Sequence, residues 1–459
     1  MPSTIWERFR QALCKLVPSK EYEKKANATV STADVLVFLV FGTLSFFNQE
    51  MLYTAAEDIL SGRKLPTASI FVTFITPLMA VKILCPWFIQ RVPYLVKTLL
   101  ITTFMIVGIL IIVYAESTKL KLLGIAMNAM ATGASELVFL SLTSFYPQIC
   151  ISSFVAGTGL SSLVAPLYYT GVTTWSCVPP KTAILITAPW SILIMIAYAI
   201  LNKEPIANSP CSSPSLGKRS KGVSYEKIES DGSSEDEELT EFDQTKLSLT
   251  RPLDCKEKGL AAWKIFPFML PLFFSFFAEY LITSSVVTTV SFPGSGIRPR
   301  DHYLYYSLSY RIGKFVGRSY LFFISLFGDF SRFLLCRHTW IFALINLILL
   351  MFFALESWYH FVPGIGLIIV MCSAVGLVSG LIVLHSPHAV ASVTETRERE
   401  FAFGLLTLGN AIGAFSAGLV GLGVEPFLQS ECKMHFISEQ MYCFTRHRNA
   451  TGWSSNIHC

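Results

Sequence analysis

Long apolar runs alternate with short polar breaks along almost the whole chain. Runs of about 20 mostly apolar residues cross a bilayer as helices. They predict spans near 34–55, 66–89, 95–114, 122–146, 149–173, 181–201, 264–292, 303–327, 338–355, 362–385 and 401–424. The stretches 35–56, 65–80 and 98–114 hold no charged residue other than Glu50. Alternating segments of about ten residues, the signature of a transmembrane barrel, are absent. The largest break, 202–263, is rich in Ser, Lys and Glu and poor in aromatics, so it reads as a disordered linker. The expected architecture is therefore an all-α polytopic membrane protein of about 11 transmembrane helices. Six helices in 34–201 and five in 264–424 form two bundles, flanked by tails 1–33 and 425–459.

Composition narrows the class further. Of 459 residues, 52% are hydrophobic and only 15% charged, against about 25% charged in soluble domains. Together with a mean hydropathy of +0.52, this excludes a soluble enzyme, a disordered protein and a nucleic-acid binder. The net charge of +5 then reports topology, because cytosolic loops collect Lys and Arg. With the N-terminus cytosolic and the long segments set aside, that side holds 12 basic residues against 7. The linker is then cytosolic, and an odd helix count puts 425–459 in the lumen, where Asn449-Ala450-Thr451 is a glycosylation acceptor. Residues 1–33 are polar and basic, so no cleavable signal peptide is expected. Eleven cysteines occur with no C-x-x-C pair, and neither a metal site nor a cofactor is expected. Cys85, Cys150 and Cys372 lie in apolar runs, where a thiol is a small buried hydrophobe.

Charges at membrane depth cost about 2.5 kcal/mol or more, so each one invites a functional reading. Glu136 falls in the fourth span and Glu279 in the seventh, between Phe276-Phe277 and Tyr280. Either could line a central cavity and bind hydroxyls or protons, or could lock the bundles by pairing with a base. In the eighth span Arg311, Lys314 and Arg318 stand at i, i+3 and i+7, on one helix face. Such a stripe cannot face lipid; it suits an anionic substrate, with arginine matched to phosphate. The plainer alternative has Arg318 reaching the cytosol while Arg311 pairs with Glu279 or Glu136. Tyr280, Tyr306 and Tyr310 border these charges and could pack a substrate backbone or simply fill space. His385 and His388 flank Ser386-Pro387 and could form a proton-responsive gate. Glu400 belongs to an alternating-charge run, either a solvated helix start or a gate contact between bundles. Gly157-Thr158-Gly159 lies inside an apolar run and reads as helix packing. Tyr225-Glu226-Lys227-Ile228 in the linker is a Tyr-x-x-apolar sorting signal of the kind adaptor complexes bind.

The 6+5 plan about a long central loop resembles that of major-facilitator transporters with one helix missing. Several segments resemble one family in particular. They are Ala55-Ala56-Glu57-Asp58-Ile59-Leu60, the fifteen residues from Gly133 through Ser135-Glu136 to Tyr146-Pro147, Phe277-Ala278-Glu279-Tyr280, Tyr306 through Gly313 to Arg318-Ser319, and Arg399-Glu400-Phe401. The chain resembles the battenins, lysosomal membrane proteins of juvenile neuronal ceroid lipofuscinosis. It departs from them at Ser45-Phe46, where they carry an Asn pair, and in Arg311 and Lys314. The resemblance implies a lysosomal membrane protein that exports glycerophosphodiesters by alternating access. Competing implications are a trafficking and pH-homeostasis adaptor without transport, and a cationic amino acid transporter as in the fungal branch.

Overall fold

A computed structural model describes residues 31–59, 68–88, 92–207, 253–292, 299–326 and 335–435, with 90, 295, 296 and 453 besides. The expectations for residues 1–30, for the linker from 208 to 252 with Tyr225 and Ile228, and for Asn449 lie outside the described residues.

Among the described residues there is no strand. The principal helices are α1 Thr32–Thr54, α2 Ala68–Phe88, α3 Tyr94–Tyr114, α4 Thr118–Leu142, α5 Gln148–Thr170, α6 Pro180–Ile200, α7 Cys255–Leu281, α8 Pro299–Leu326, α9 Thr339–Tyr359, α10 Ile365–Val393 and α11 Thr396–His435. Among the described residues nine of these are long and apolar enough to cross a membrane; α2 and α8 are not among them. In α2 the apolar segment Val72–Phe88 is short, and α8 carries the Arg311, Lys314 and Arg318 stripe. α6 is interrupted by a tight turn at Ala188–Ser191, where Pro189 cannot donate a backbone hydrogen bond.

Three boundaries differ most from the hydropathy reading, one of them the end of α10, at Val393 rather than 385. α7 begins at Cys255 rather than at 264, so residues 255–263 are helix and not linker. A capping box explains the early start: the Asp254 backbone N–H donates to Glu257 Oε2 at 2.8 Å. Lys258, Ala261 and Ile265 then follow at helical spacing and are buried. α11 runs on to His435, so residues 425–435 are helix and not tail. Leu428 and Cys432, one turn apart, are both buried, and Leu428 packs into the apolar cluster around Ile282, Val286 and Phe353.

The second half repeats the packing of the first with an offset of six helices. α1 packs along α5, and α7 along α11; α2 packs on α4, and α8 on α10. The halves meet where α5 lies against α8 and α2 against α11. Glycines set the closest approaches, as in membrane helix pairs generally. A Cβ on Gly42 of α1 would stand 2.0 Å from the Phe154 carbonyl oxygen of α5, and one on Gly313 of α8 would stand 2.0 Å from the Ser373 oxygen of α10. The glycine face of α8 is thus spent on α10, which leaves its cationic face to the centre of the molecule.

Candidate functional site

The three cations of α8 go to three different helices. Lys314 Nζ lies 2.9 Å from Glu279 Oε1 of α7. The Tyr310 hydroxyl donates to that same carboxylate oxygen and accepts from Lys314 at 2.8 Å. Glu279 is completely buried, in keeping with a carboxylate that has two donors on one oxygen. Arg311 NH1 reaches across the halves to Glu50 Oε2 of α1 at 2.7 Å and to the Ser162 carbonyl of α5 at 2.8 Å. Arg318 NH1 donates to Thr158 Oγ1 of α5 at 2.8 Å, where a Cβ on Gly159 would come within 2.9 Å of the Arg318 Cβ. Its side chain is buried, its Nε has no partner, and no carboxylate pairs with it among the described residues.

A second polar group stands across the centre. Lys82 of α2 lies 2.5 Å from Glu136 Oε2 of α4 and donates to Asn410 Oδ1 of α11 at 3.0 Å. Asn410 Nδ2 closes the triangle by donating to Glu136 Oε1 at 2.9 Å. Lys82 is fully buried, so this contact also joins the two halves.

Between the two groups lies a cavity whose polar lining is Gln49, Glu50, Glu136, Thr158, Tyr280, Lys314, Arg318 and Asn410. Phe46, Phe154 and Phe276 form its apolar walls. Of the residues singled out from sequence, Glu136, Tyr280, Lys314 and Arg318 line this space. Glu279, Tyr310 and Arg311 stand behind it and hold the charges that do. Tyr306 is elsewhere: five residues before Arg311, it is turned about 140° away on the helix. It packs beside His302 with ring centroids 6.3 Å apart. A role for Tyr306 in packing substrate is therefore not what the fold provides.

The remaining candidates gather at the end of the bundle that carries the basic loops. His385 Nδ1 accepts from the Cys336 backbone N–H at 3.3 Å, and its Nε2 is 2.7 Å from the Tyr320 hydroxyl. His388 Nε2 lies 3.0 Å from Ser152 Oγ of α5, a contact between halves. Glu400 of α11 accepts from the Tyr94 hydroxyl of α3 at 2.5 Å, and Lys97 Nζ is 3.9 Å away. Beside it the Trp87 and Phe401 rings meet edge to face at 5.7 Å, and Lys258 donates to the Trp87 carbonyl at 2.7 Å. This end of the cavity is closed by contacts between α2–α3 and α7–α11.

Sequence reasoning passed over Glu50, Lys82, Thr158, Gln49 and Asn410. Two of these had a visible signal. Glu50 and Lys82 are charges inside predicted spans, the same criterion that selected Glu136 and Glu279. A second signal is a repeat. Ser45-Phe46-Phe47 precedes Glu50 in α1, and Ser275-Phe276-Phe277 precedes Glu279 in α7. Phe46 and Phe276 both line the cavity, so the repeated tripeptide marks corresponding walls of the two halves.

Comparison with known proteins places this geometry. The family model described as "CLN3 protein" matches residues 36–433. The chain is 25% identical to Protein btn-1 of Neurospora crassa over 93% of both chains. It is 25% identical to Protein BTN1 of Saccharomyces cerevisiae over 88% of this chain and 97% of that one. It is 24% identical to Battenin of Canis lupus familiaris over 90% of this chain and 94% of that one. Two solved structures share the fold. The human organic anion transporter MFSD10 (TETRAN) matches with a TM-score of 0.52 and 13% identity, over 90% of this chain and 96% of that one. The major facilitator superfamily transporter FucP in its outward conformation matches with a TM-score of 0.51 and 14% identity, over 91% and 98%. The fold is thus of major-facilitator type, and family and apolar helices together support a multi-pass membrane protein. By the match across nearly its whole length, the chain belongs to the CLN3 protein family, that of battenin and the fungal BTN1 proteins.

Proposed function

We propose that this protein exports glycerophosphodiesters, the deacylated products of phospholipids, across the lysosomal membrane by alternating access of its two halves about the central cavity. The observation that carries the reading is Arg318, a buried cation facing the cavity with no carboxylate partner among the described residues. In the central cluster Glu50, Glu136 and Glu279 each hold one base, namely Arg311, Lys82 and Lys314. Arg318 is left over. A phosphodiester carries one negative charge, so a single such group balances the site. The arginine fork offers it two parallel hydrogen bonds. This charge balance disfavours a cationic amino acid, which would add to an existing surplus.

Cysteine chemistry supports the orientation, with the N-terminus cytosolic and the far end lumenal. Cys85, Cys150, Cys255 and Cys336, all at the basic end, are free thiols, as is Cys372, buried within α10. Cys177, between α5 and α6, and Cys432, late in α11, lie toward the opposite end and are disulfide-bonded. Disulfides persist in oxidising compartments and thiols in the cytosol. The backbone N–H of Lys181 donates to the Trp453 carbonyl at 3.3 Å, and Lys121 Nζ sits 4.0 Å above the Trp453 ring. That contact holds Trp453 at the same end as Cys177.

The test is efflux of labelled glycerophosphoglycerol, a net monoanion, from proteoliposomes. Arg318→Ala is expected to lower efflux about 10- to 100-fold, the worth of a hydrogen-bonded charge. Undiminished efflux in that variant would sink the assignment of Arg318, and no efflux from the wild type would favour the adaptor function.

A further inference from the structure

The cavity wall carries a second unpartnered atom, of opposite character to the Arg318 Nε. Gln49 of α1 lines the cavity and is 4% exposed, and its Oε1 is buried with no hydrogen-bond partner. Arg318, 6% exposed on the same cavity, has a buried Nε with no partner. A buried polar atom without a partner costs about 1–3 kcal/mol, and both of these atoms belong to residues that face the same space. The other polar groups of the lining are engaged with one another: Glu136 with Lys82 and Asn410, Glu50 with Arg311, Lys314 with Glu279. The site therefore offers a ligand one donor beside a positive charge and one neutral acceptor. A carboxamide oxygen accepts and does not donate, so its complement is a hydroxyl or an N–H on the ligand.

We infer that Gln49 is a specificity-determining residue: it accepts a hydrogen bond from a hydroxyl of the polyol portion of an anionic substrate whose phosphate is held by Arg318. This rests on the proposed transport of glycerophosphodiesters and adds to it which end of the molecule is read. The substrate class becomes a monoanionic phosphodiester with a free hydroxyl, and a simple alkyl phosphodiester of the same charge would be discriminated against. Burial makes the discrimination sharp, because a ligand lacking the hydroxyl leaves the Gln49 oxygen desolvated and unpaired.

The experiment is counterflow in proteoliposomes with two monoanionic probes, glycerophosphoglycerol as the glycerol compound and diethyl phosphate as the ethyl compound, which lacks the glycerol hydroxyls. Wild-type protein is expected to prefer the first by about tenfold in apparent affinity, the size of one buried hydrogen bond. Gln49→Met, similar in volume but without the acceptor, is expected to bring the glycerol compound down to the level of the ethyl compound while leaving the ethyl compound unchanged. Arg318→Ala is expected to weaken both together. Equal handling of the two probes by the wild type would overturn the inference without touching the transport reading, and it needs no variant to fold. A Gln49→Met protein that loses both probes equally would overturn it as well, since a merely structural role predicts that result. Failure of the wild type to move either probe would refute the transport proposal itself.

Discussion

Glu50 of α1 and Glu279 of α7 follow the same Ser-Phe-Phe tripeptide in corresponding helices of the two halves, yet their partners divide them. Glu279 stays at home: its base, Lys314, and its hydroxyl donor, Tyr310, both come from α8 of its own half. Glu50 reaches out to Arg311, in the opposite half. The same chemical element serves as an anchor within one bundle and as a tie between bundles. A tie must break when the halves rock apart; an anchor need not. The burial follows the roles. Glu279 is sealed completely, whereas the Glu50 and Arg311 side chains keep 11% and 16% of their exposure, enough for water to assist separation.

The difference can be broken experimentally. Glu279→Ala should have the largest effect, because it strands Lys314 and a buried unpaired charge costs about 3–5 kcal/mol. Thermal unfolding in detergent should show a marked fall in apparent Tm, recovered in part by adding Lys314→Met; an unchanged Tm would mean that Glu279 anchors nothing. Next come the glycine seams, in which the halves should behave alike. Gly42→Ala and Gly313→Ala each drive a methyl against a backbone oxygen and should cost about 1–3 kcal/mol, measured in the same assay. A seam tolerant in one half only would show that the repeat is not mechanical. Glu50→Gln should be milder in stability, about 1–2 kcal/mol, because Arg311 retains the Ser162 carbonyl. Its principal signature should be kinetic, with cysteines placed along the half of the cavity away from the basic loops labelling faster. Labelling at the wild-type rate would deny the tie. The smallest effect is expected for Tyr94→Phe, which removes one hydrogen bond to Glu400. Bonds between membrane helices average about 0.6 kcal/mol, so stability should barely change while labelling from the end that carries the basic loops rises.

Hydropathy located the helices well because a bilayer imposes one length on all of them. It missed the start of α7 and the end of α11 for a single reason. Both extensions are amphipathic rather than uniformly apolar, and they are held by Asp254 and Glu257 at one end and by Leu428 and Cys432 at the other. The α8 stripe was legible because three cations at one helical phase admit few explanations. Its pairings were not, since nothing in the order of residues says that Arg311 meets α1 and Lys314 meets α7. Asn410 and Thr158 carry no charge and look like any polar residue in a spanning helix, so only tertiary structure brings them to the cavity wall. Glu50 and Lys82 are different. They satisfied the criterion of charge at depth and would have completed the network in outline.

The unmatched Arg318 has an electrical consequence. In the central cluster four bases face three carboxylates, so under the proposed transport the empty protein holds a surplus positive charge and the protein loaded with a monoanion holds none. A membrane potential acts on charge at about 2.3 kcal/mol per elementary charge per 100 mV across the full field. To the extent that the cavity samples that field as access alternates, voltage bears on the return of the empty protein and leaves the loaded passage nearly untouched. Under the proposed transport, Arg318 makes one half of the cycle responsive to the membrane potential and the other half indifferent to it.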